Sequence, residues 1–427
     1  MRGRVAERRT AYGLVTVATL SYTCLMFVWF SLPAYLSTII AELELSGTQA
    51  GVVAGAVPLT YIPLALFSGL AVDRIGPGRS LAVGVVCYGL AQVGRSVATG
   101  FPSLLAFTLL IGVGATAVTF GLPKLVSVLF PADRTGLPSS IYLVGASAGT
   151  AAVFAIGRPT IGPWLGGWRP LFLWSGVVAI GYGFAWYLVA RRLRVDERAA
   201  ENDENERAGA DERPNKNGTA GENGVDSELE SIRRDLRLIL THRELQLVVV
   251  VGTMYLLASH GIQGWLPTVL ESRGVSADRA GQTTGLFVAA YAVGIFAVPA
   301  LADRYGARPA ALMLCGGVFF VGVAGMTLAG SLGVVLLGSV VVAGIGVGGL
   351  SPLIRAIPPA LEGIGSRLTG TAVGFIFAVG EIGGFLGPVL VGSLHDATGS
   401  YAPGLALIAL AGLVVVLAGG ALRRAAM

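Results

Sequence analysis

Long uninterrupted apolar runs dominate the chain. They recur at about 12–40, 47–71, 80–99, 102–129, 138–163, 168–190, 245–268, 280–301, 310–329, 332–357, 368–394 and 402–422, each close to the ~20 residues a helix needs to cross a ~30 Å hydrocarbon core. The pattern predicts an all-α membrane protein of twelve transmembrane helices. The one long polar interval, 191–243, contains DERAAENDENERAGADERPNKNGTAGENG, which cannot bury enough apolar surface to fold alone. It divides the chain into a six-helix unit over 1–190, a cytoplasmic linker over 191–243 and a second six-helix unit over 244–427. Near the linker's end, SELESIRRDLRLILTHREL places Leu229, Ile232, Leu236 and Ile239 at helical spacing with arginines between them. That spacing predicts a short helix at 227–241 lying on the inner membrane surface; a solvated helix without membrane contact is the other reading.

Composition and charge agree with this class and give it an orientation. Hydrophobic residues make up 54% of the chain and charged residues only 13%, against roughly 25% charge in a soluble domain. The N-terminal MRGRVAERR is too basic, and the run after it too long, for a cleaved signal peptide, so it leads into the first span. Basic residues crowd the N-terminus, the turns at 73–79, 131–134 and 303–308, the linker and Arg423-Arg424, while the opposite loops hold Glu42, Glu44, Glu271 and Asp396. The positive-inside rule then puts both termini in the cytoplasm of a multi-pass cell-membrane protein. The basic pI reports topology, and no nucleic-acid partner is expected. Cys24, Cys87 and Cys315 sit inside apolar runs without metal-ligand spacing, and no Walker lysine or His-Glu-x-x-His occurs. No metal, cofactor or catalytic residue is expected, and the chain does not read as an enzyme.

The two halves repeat one another. GLAVDRIGPGRS at 69–80 is answered by PALADRYGARPA at 299–310, so Asp73-Arg74-x-Gly76 matches Asp303-Arg304-x-Gly306. Tyr61 and Tyr291 each lie twelve residues earlier, Gly162-Pro163 answers Gly387-Pro388, and DRTG at 133–136 answers SRLTG at 366–370. Two parallel six-helix repeats with a site between them form a transporter plan. Apart from the linker, the chain resembles the major facilitator superfamily, whose cytoplasmic loop motif Gly-x-x-x-Asp-Arg-x-Gly is followed by basic residues. Pro77 and Gly78 stand where further bases are common, leaving Arg79, and Pro299 replaces the leading glycine of the second copy. The resemblance implies two pseudo-symmetric bundles and gating roles for Asp73, Arg74, Gly76, Arg79, Asp303 and Arg304. Asp73 would cap the start of the eleventh helix near Arg367, and Asp303 the fifth near Pro138-Ser139, latching the cytoplasmic gate. Ordinary charged turns that enforce topology are the alternative.

Charges inside the spans are few. Glu381 lies ~20 Å along the eleventh helix in AVGEIGGFLGP, deep enough for desolvation to hold a proton on it, and it is the candidate for proton coupling; a structural partnership is the alternative. Lys124 and Arg355 are 231 residues apart, near the ends of the fourth and tenth helices, where they either contact an anionic substrate or snorkel to the headgroups. Arg95 and Arg158 fall near the outer boundary and are expected to anchor there. Because the first and seventh helices commonly line the cavity in this superfamily, the resemblance adds Trp29, His260 and Gln263 as substrate contacts, with Tyr61 and Tyr291 by symmetry. For the tryptophan, an aromatic-belt position is the alternative.

GIQGWLPTVLESRGVSADRAG and GLPKLVSVLFPADRTG resemble the cyanate, nitrate and organic-anion porter branches, although tyrosines replace the arginines that nitrate porters carry. GRPTIGPWLGGW resembles an element of proton antiporters. The expected function is secondary active transport of a small anion by alternating access, coupled to protons. The partners are the solute, H+ and the bilayer, around a monomer. Drug or metabolite export by antiport is the alternative, and a non-transporting membrane sensor a remote one.

Overall fold

The computed structural model describes residues 2–131, 134–201, 235, 237–329 and 333–425. Twelve helical runs follow in order. The first six are α1 (Arg2–Ala34), α2 (Gly47–Ile75), α3 (Pro77–Ser96), α4 (Phe101–Leu129), α5 (Gly136–Leu165) and α6 (Trp168–Arg192). The second six are α7 (Arg243–Ser272), α8 (Ala277–Tyr305), α9 (Arg308–Leu328), α10 (Val334–Ala356), α11 (Gly365–Thr398) and α12 (Ala402–Ala425). A short helix, Leu36–Leu43, links α1 to α2. Ten of the twelve are long and apolar enough to cross a bilayer, and α2, which bends, makes an eleventh. The remaining helix, α3, is more polar because Gln92 and Arg95 sit in it, both buried against the rest of the first bundle. The expected helix at 227–241 lies mostly outside the described residues; 237–241 are helical.

Local chemistry sets the helix ends. Ser46 opens α2 with a reciprocal capping box, accepting from the Gln49 amide at 3.1 Å while its own amide donates to Gln49 Oε1 at 3.0 Å. Both copies of the Asp-Arg-x-Gly turn end on a glycine with positive φ, +88° at Gly76 and +60° at Gly306. A side chain is disfavoured in that conformation, which explains why the glycine is part of the repeat. A proline follows in each, Pro77 at once and Pro309 three residues on, both standing in the first turn of the next helix, where a missing amide proton costs nothing.

Within each half the helices pack closely, α3 against α4 and α6, and α9 against α10 and α12. Between halves the seams run along α2 with α11, α5 with α8, and α1 with α7. The α2–α11 seam is backbone against backbone: a Cβ on Gly51 would meet the Pro388 carbonyl oxygen at 2.5 Å, and one on Gly55 the Phe385 oxygen at 2.7 Å. This contact lies toward the face opposite the one on which α1 begins and α12 ends. Nearer that terminal face, the Cβ directions of Gly370 and Gly374 on the same α11 meet open space. The halves are therefore shut on the opposite face, and toward the terminal face these α11 glycines make no such close approach.

Candidate functional site

At mid-depth the seam holds an aromatic and acidic cluster drawn from both halves. Trp29 of α1 stacks on His260 of α7, ring centroids 5.5 Å apart and planes 17° from parallel, and its other neighbours include Tyr61 at 6.2 Å. Tyr61 shares a 2.8 Å hydrogen bond with Thr119 of α4. Gly384 marks where the second half joins them: a Cβ there would lie 2.7 Å from Glu381 Oε2, 3.2 Å from His260 Cδ2 and 3.2 Å from Pro58 Cβ. Glu381 is half-buried, and its Oε2 is fully shielded with no hydrogen-bond partner in the protein. An unpaired carboxylate oxygen in so apolar a setting is costly to bury.

Toward the terminal face the cluster continues. Tyr255 and Tyr291 share a 2.6 Å hydrogen bond, and Tyr22 lies 6.3 Å from Tyr142, centroid to centroid. Arg355 is exposed to this space, its guanidinium 4.1 Å from the Phe377 ring centroid and its Nη1 donating to the Ser351 carbonyl at 3.0 Å and to the Ser351 hydroxyl. It lies within electrostatic reach of Tyr291 in its own half and of Tyr22 in the other, which puts it between the halves. Among the described residues it makes no ion pair. Lys124, its counterpart by sequence symmetry, is placed differently, with Nζ 3.1 Å from Asp73 Oδ1. Gln263 turns back on its own helix, donating to the Ser259 hydroxyl at 2.8 Å.

The opposite face is fastened by acids that reach across. Asp396 of α11 accepts from the first amides of α2, Gly47 at 2.6 Å and Thr48 at 2.7 Å, and from the Thr48 hydroxyl at 2.7 Å. A carboxylate at a helix start satisfies amides that the helix cannot pair itself and meets the positive end of its dipole. Nearby, Arg158, within the π-helical turn Val153–Ile161 of α5, lies 3.3 Å from Glu271 of α7, which also accepts from the Ser37 hydroxyl. Arg158 is only 9% exposed, bonded to Thr38 at 3.1 Å and stacked over the Tyr35 ring at 4.2 Å. Arg95 is deeper still, 1% exposed, bonded to Thr108 and to the Val28 carbonyl. The expectation that these two arginines anchor in the headgroups is therefore corrected: both point into the protein, where polar partners meet Arg95 and the Nη2 of Arg158, while the buried Arg158 Nε has no hydrogen-bond partner in the protein.

On the terminal face each charged turn is satisfied within its own half. Asp73 holds Lys124, and Asp303 accepts from Arg308 at 3.0 Å. The chain just after α6 returns to the first turn, with Asp196 accepting from the Gly78 amide at 2.7 Å and lying 3.6 Å from Arg79. Burial pushes the Asp196 carboxyl above its ordinary value, outweighing that amide and Arg79. Arg74 and Arg304 are exposed. Sequence reasoning did not single out Asp196, Tyr22, Tyr142, Tyr255 or Thr119, and it treated Glu271 and Asp396 only as markers of topology. For Asp396, a carboxylate beside a span end, opposite a helix that begins with Ser-Gly-Thr, is the signal that could have found it; for Glu271 it is the lone arginine Arg158 at the matching depth of α5.

Two six-helix bundles, a polar cluster at mid-depth between them and a seam shut on one face define a solute carrier with a membrane-embedded site. The sequence profile of the Major Facilitator Superfamily matches residues 18–388 and 248–426, and the chain belongs to that superfamily. It is a multi-pass membrane transporter and not an enzyme. The uncharacterized transporter YycB of Bacillus subtilis (strain 168) is 25% identical over 415 residues, covering 93% of this chain and 92% of that one. The 3-(3-hydroxy-phenyl)propionate transporter of Escherichia coli (strain K12) is 26% identical over 379 residues, covering 86% and 85%. Among solved structures, a bacterial homolog of the human lysosomal transporter Spinster, inward-facing and unoccupied, matches with a TM-score of 0.75 at 17% identity over 97% of this chain and 96% of that one. The last likeness concerns the fold alone.

Proposed function

We propose that the protein carries a small organic anion together with a proton across the cytoplasmic membrane by alternating access, with both termini in the cytoplasm. The observation that carries the reading is the pairing of two unmatched charges at one seam: Arg355 without a carboxylate, and Glu381 with an oxygen that nothing in the protein satisfies. In the empty protein they offset each other. With both an anion on Arg355 and a proton on Glu381 the seam is again neutral. With only one of the two it carries a net buried charge, and closing over that costs several kcal/mol. Transport of anion and proton in step follows from that penalty. The name of the Escherichia coli relative, a carrier of an aromatic acid, supports the anionic class.

Trp29, Tyr61, Tyr291 and His260 would surround the solute, and Gln263 would hold α7 in shape beside it. The terminal-face turns would act when that face shuts. Asp73 would then leave Lys124 for the first amides of α11, and Asp303 would leave Arg308 for those of α5, with Arg74, Gly76, Arg79 and Arg304 shaping the turns. The decisive experiment uses proteoliposomes with an imposed pH gradient and a panel of labelled organic anions. Wild type should accumulate at least one of them, while Glu381→Gln, which mimics the protonated state, should lose accumulation against a gradient and retain exchange of labelled for unlabelled solute. A Glu381→Gln protein that still concentrates solute would overturn the coupling role. Uptake of cations or neutral solutes without any anion would overturn the function itself.

A further inference from the structure

Resting on that reading, we infer that the solute is an aromatic monocarboxylate: one ring, one negative charge. The charge count comes from the seam. Of the cations within the spans, Arg158 is committed to Glu271, Lys124 to Asp73, and Arg95 to Thr108 and the Val28 carbonyl inside the first bundle. Among the described residues deep in the spans, that leaves Arg355 to meet an anion between the halves, already oriented by Ser351 and by the face of Phe377. A second carboxylate would find no cation there and would share the space with Glu381.

The ring comes from the lining. Toward the space around Arg355 the two halves present Tyr22 and Tyr142 from one side, and Tyr255, Tyr291 and Phe377 from the other, with the Trp29–His260 stack beyond them. The hydroxyls here are partly engaged with one another, Tyr255 with Tyr291 and Tyr61 with Thr119, so that each pair keeps only one O–H to offer a solute. A polyol or sugar acid would thus trade its bonds to water for few replacements, whereas a ring meets π faces at stacking and edge distances. The binding pose places the carboxylate on Arg355 and the ring toward Trp29, bringing solute contacts to both halves at once and so favouring the closed intermediate by differential contact.

The test is titration calorimetry on the purified full-length protein with three matched sets. Benzoate, phenylacetate and 3-phenylpropionate are compared with their ring-saturated cyclohexyl counterparts and with their para-carboxylated counterparts; succinate and gluconate complete the panel. The best of the three aromatic acids should bind at least about fivefold tighter than its saturated partner. It should bind at least about tenfold tighter than its para-carboxylated partner. Two variants read the two halves of the inference as ratios, independent of protein yield. Trp29→Leu should bring the aromatic-to-saturated ratio toward one and leave the mono-to-dicarboxylate ratio in place, and Glu381→Gln, compared at a pH alkaline enough to ionise Glu381 in the wild type, should do the reverse. Saturated acids or dicarboxylates that bind as well as the aromatic acids, or an absence of binding by all three aromatic acids, would overturn the inference. If succinate or gluconate is then taken up by proteoliposomes, anion transport stands and only the aromatic assignment falls. If no anion is taken up at all, the wider reading falls with it.

Discussion

The two faces of the seam use the same device in opposite ways. On the shut face, carboxylates reach from one half to the other: Asp396 caps the start of α2, and Glu271 meets Arg158. On the terminal face, carboxylates in equivalent turns stay at home, Asp73 with Lys124 and Asp303 with Arg308. In the cycle proposed above, Asp73 and Asp303 would exchange a partner within their own half for helix-start amides across the seam when the terminal face closes, so that neither acid is left unpaired in either arrangement. For Asp73 and Asp303 the exchange is small in free energy, because a charge at a helix end or an exposed ion pair contributes about 0.3–1 kcal/mol, so a bound solute could tip the balance at that face.

The strongest way to break the comparison is to make the shut face unable to shut. Gly51→Val places its side chain against the backbone of Pro388, which cannot rotate aside, so closure should be disfavoured by on the order of 3 kcal/mol or more. Transport should fall more than about a hundredfold while yield is unchanged, since each bundle packs without this contact. Double electron–electron resonance between labels at the start of α2 and the end of α11 should show a longer distance, and an unchanged distribution would mean that the seam is not what holds the face.

Next in size is Glu271→Gln, which leaves the nearly buried Arg158 facing a neutral amide. The cost, about 2 kcal/mol after allowing for partial exposure, should raise the population open on this face roughly thirtyfold. A maleimide reaction at a cysteine introduced at Thr38, which lies beside the pair, should accelerate accordingly; the same rate in both backgrounds would show that the pair contributes no closure.

The smallest effect sharpens the comparison on the other face. Asp73→Asn removes a charge that pairs within the half in one state and caps α11 in the other, so the two losses partly cancel. The population closed on the terminal face should fall only about two- to fivefold. Labels on the terminal-face ends of the two halves would read this, and a closed population as large as in wild type would leave Asp73 a topology marker only.

Much of this was legible in the sequence because the governing distances are along the chain. Apolar runs of about 20 residues announce spans whatever their neighbours, and the glycine of the repeated turn is demanded by a local dihedral at Gly76 and Gly306. Glu381 stood out because a lone carboxylate at that depth has no local explanation. What stayed hidden depends on the angle around each helix axis, which hydropathy does not report in a helix that is apolar on all sides. Depth alone made Arg95 and Arg158 look like boundary residues; their rotation takes them inward. Lys124 and Arg355 match by position, yet one faces Asp73 across α2 and α4 while the other faces the seam. Tyr22, Tyr142 and Tyr255 carry no signal of their own within apolar runs and gain meaning only from what surrounds them in the folded protein.

The close approach of α2 to α11 also bears on something a transporter must avoid. Across an energised membrane each elementary charge that slips through dissipates about 2.3 kcal/mol per 100 mV, and protons slip most readily along files of water. Where Gly51 and Gly55 lie on the carbonyls of Pro388 and Phe385 there is no side chain to leave a gap, and a water needs roughly 10–15 Å³ of probe-occupied space with polar partners to lodge. Bare backbone pressed on backbone leaves no room for water along this stretch of the α2–α11 seam, so that a proton carried by Glu381, as proposed above, would leave toward the terminal face.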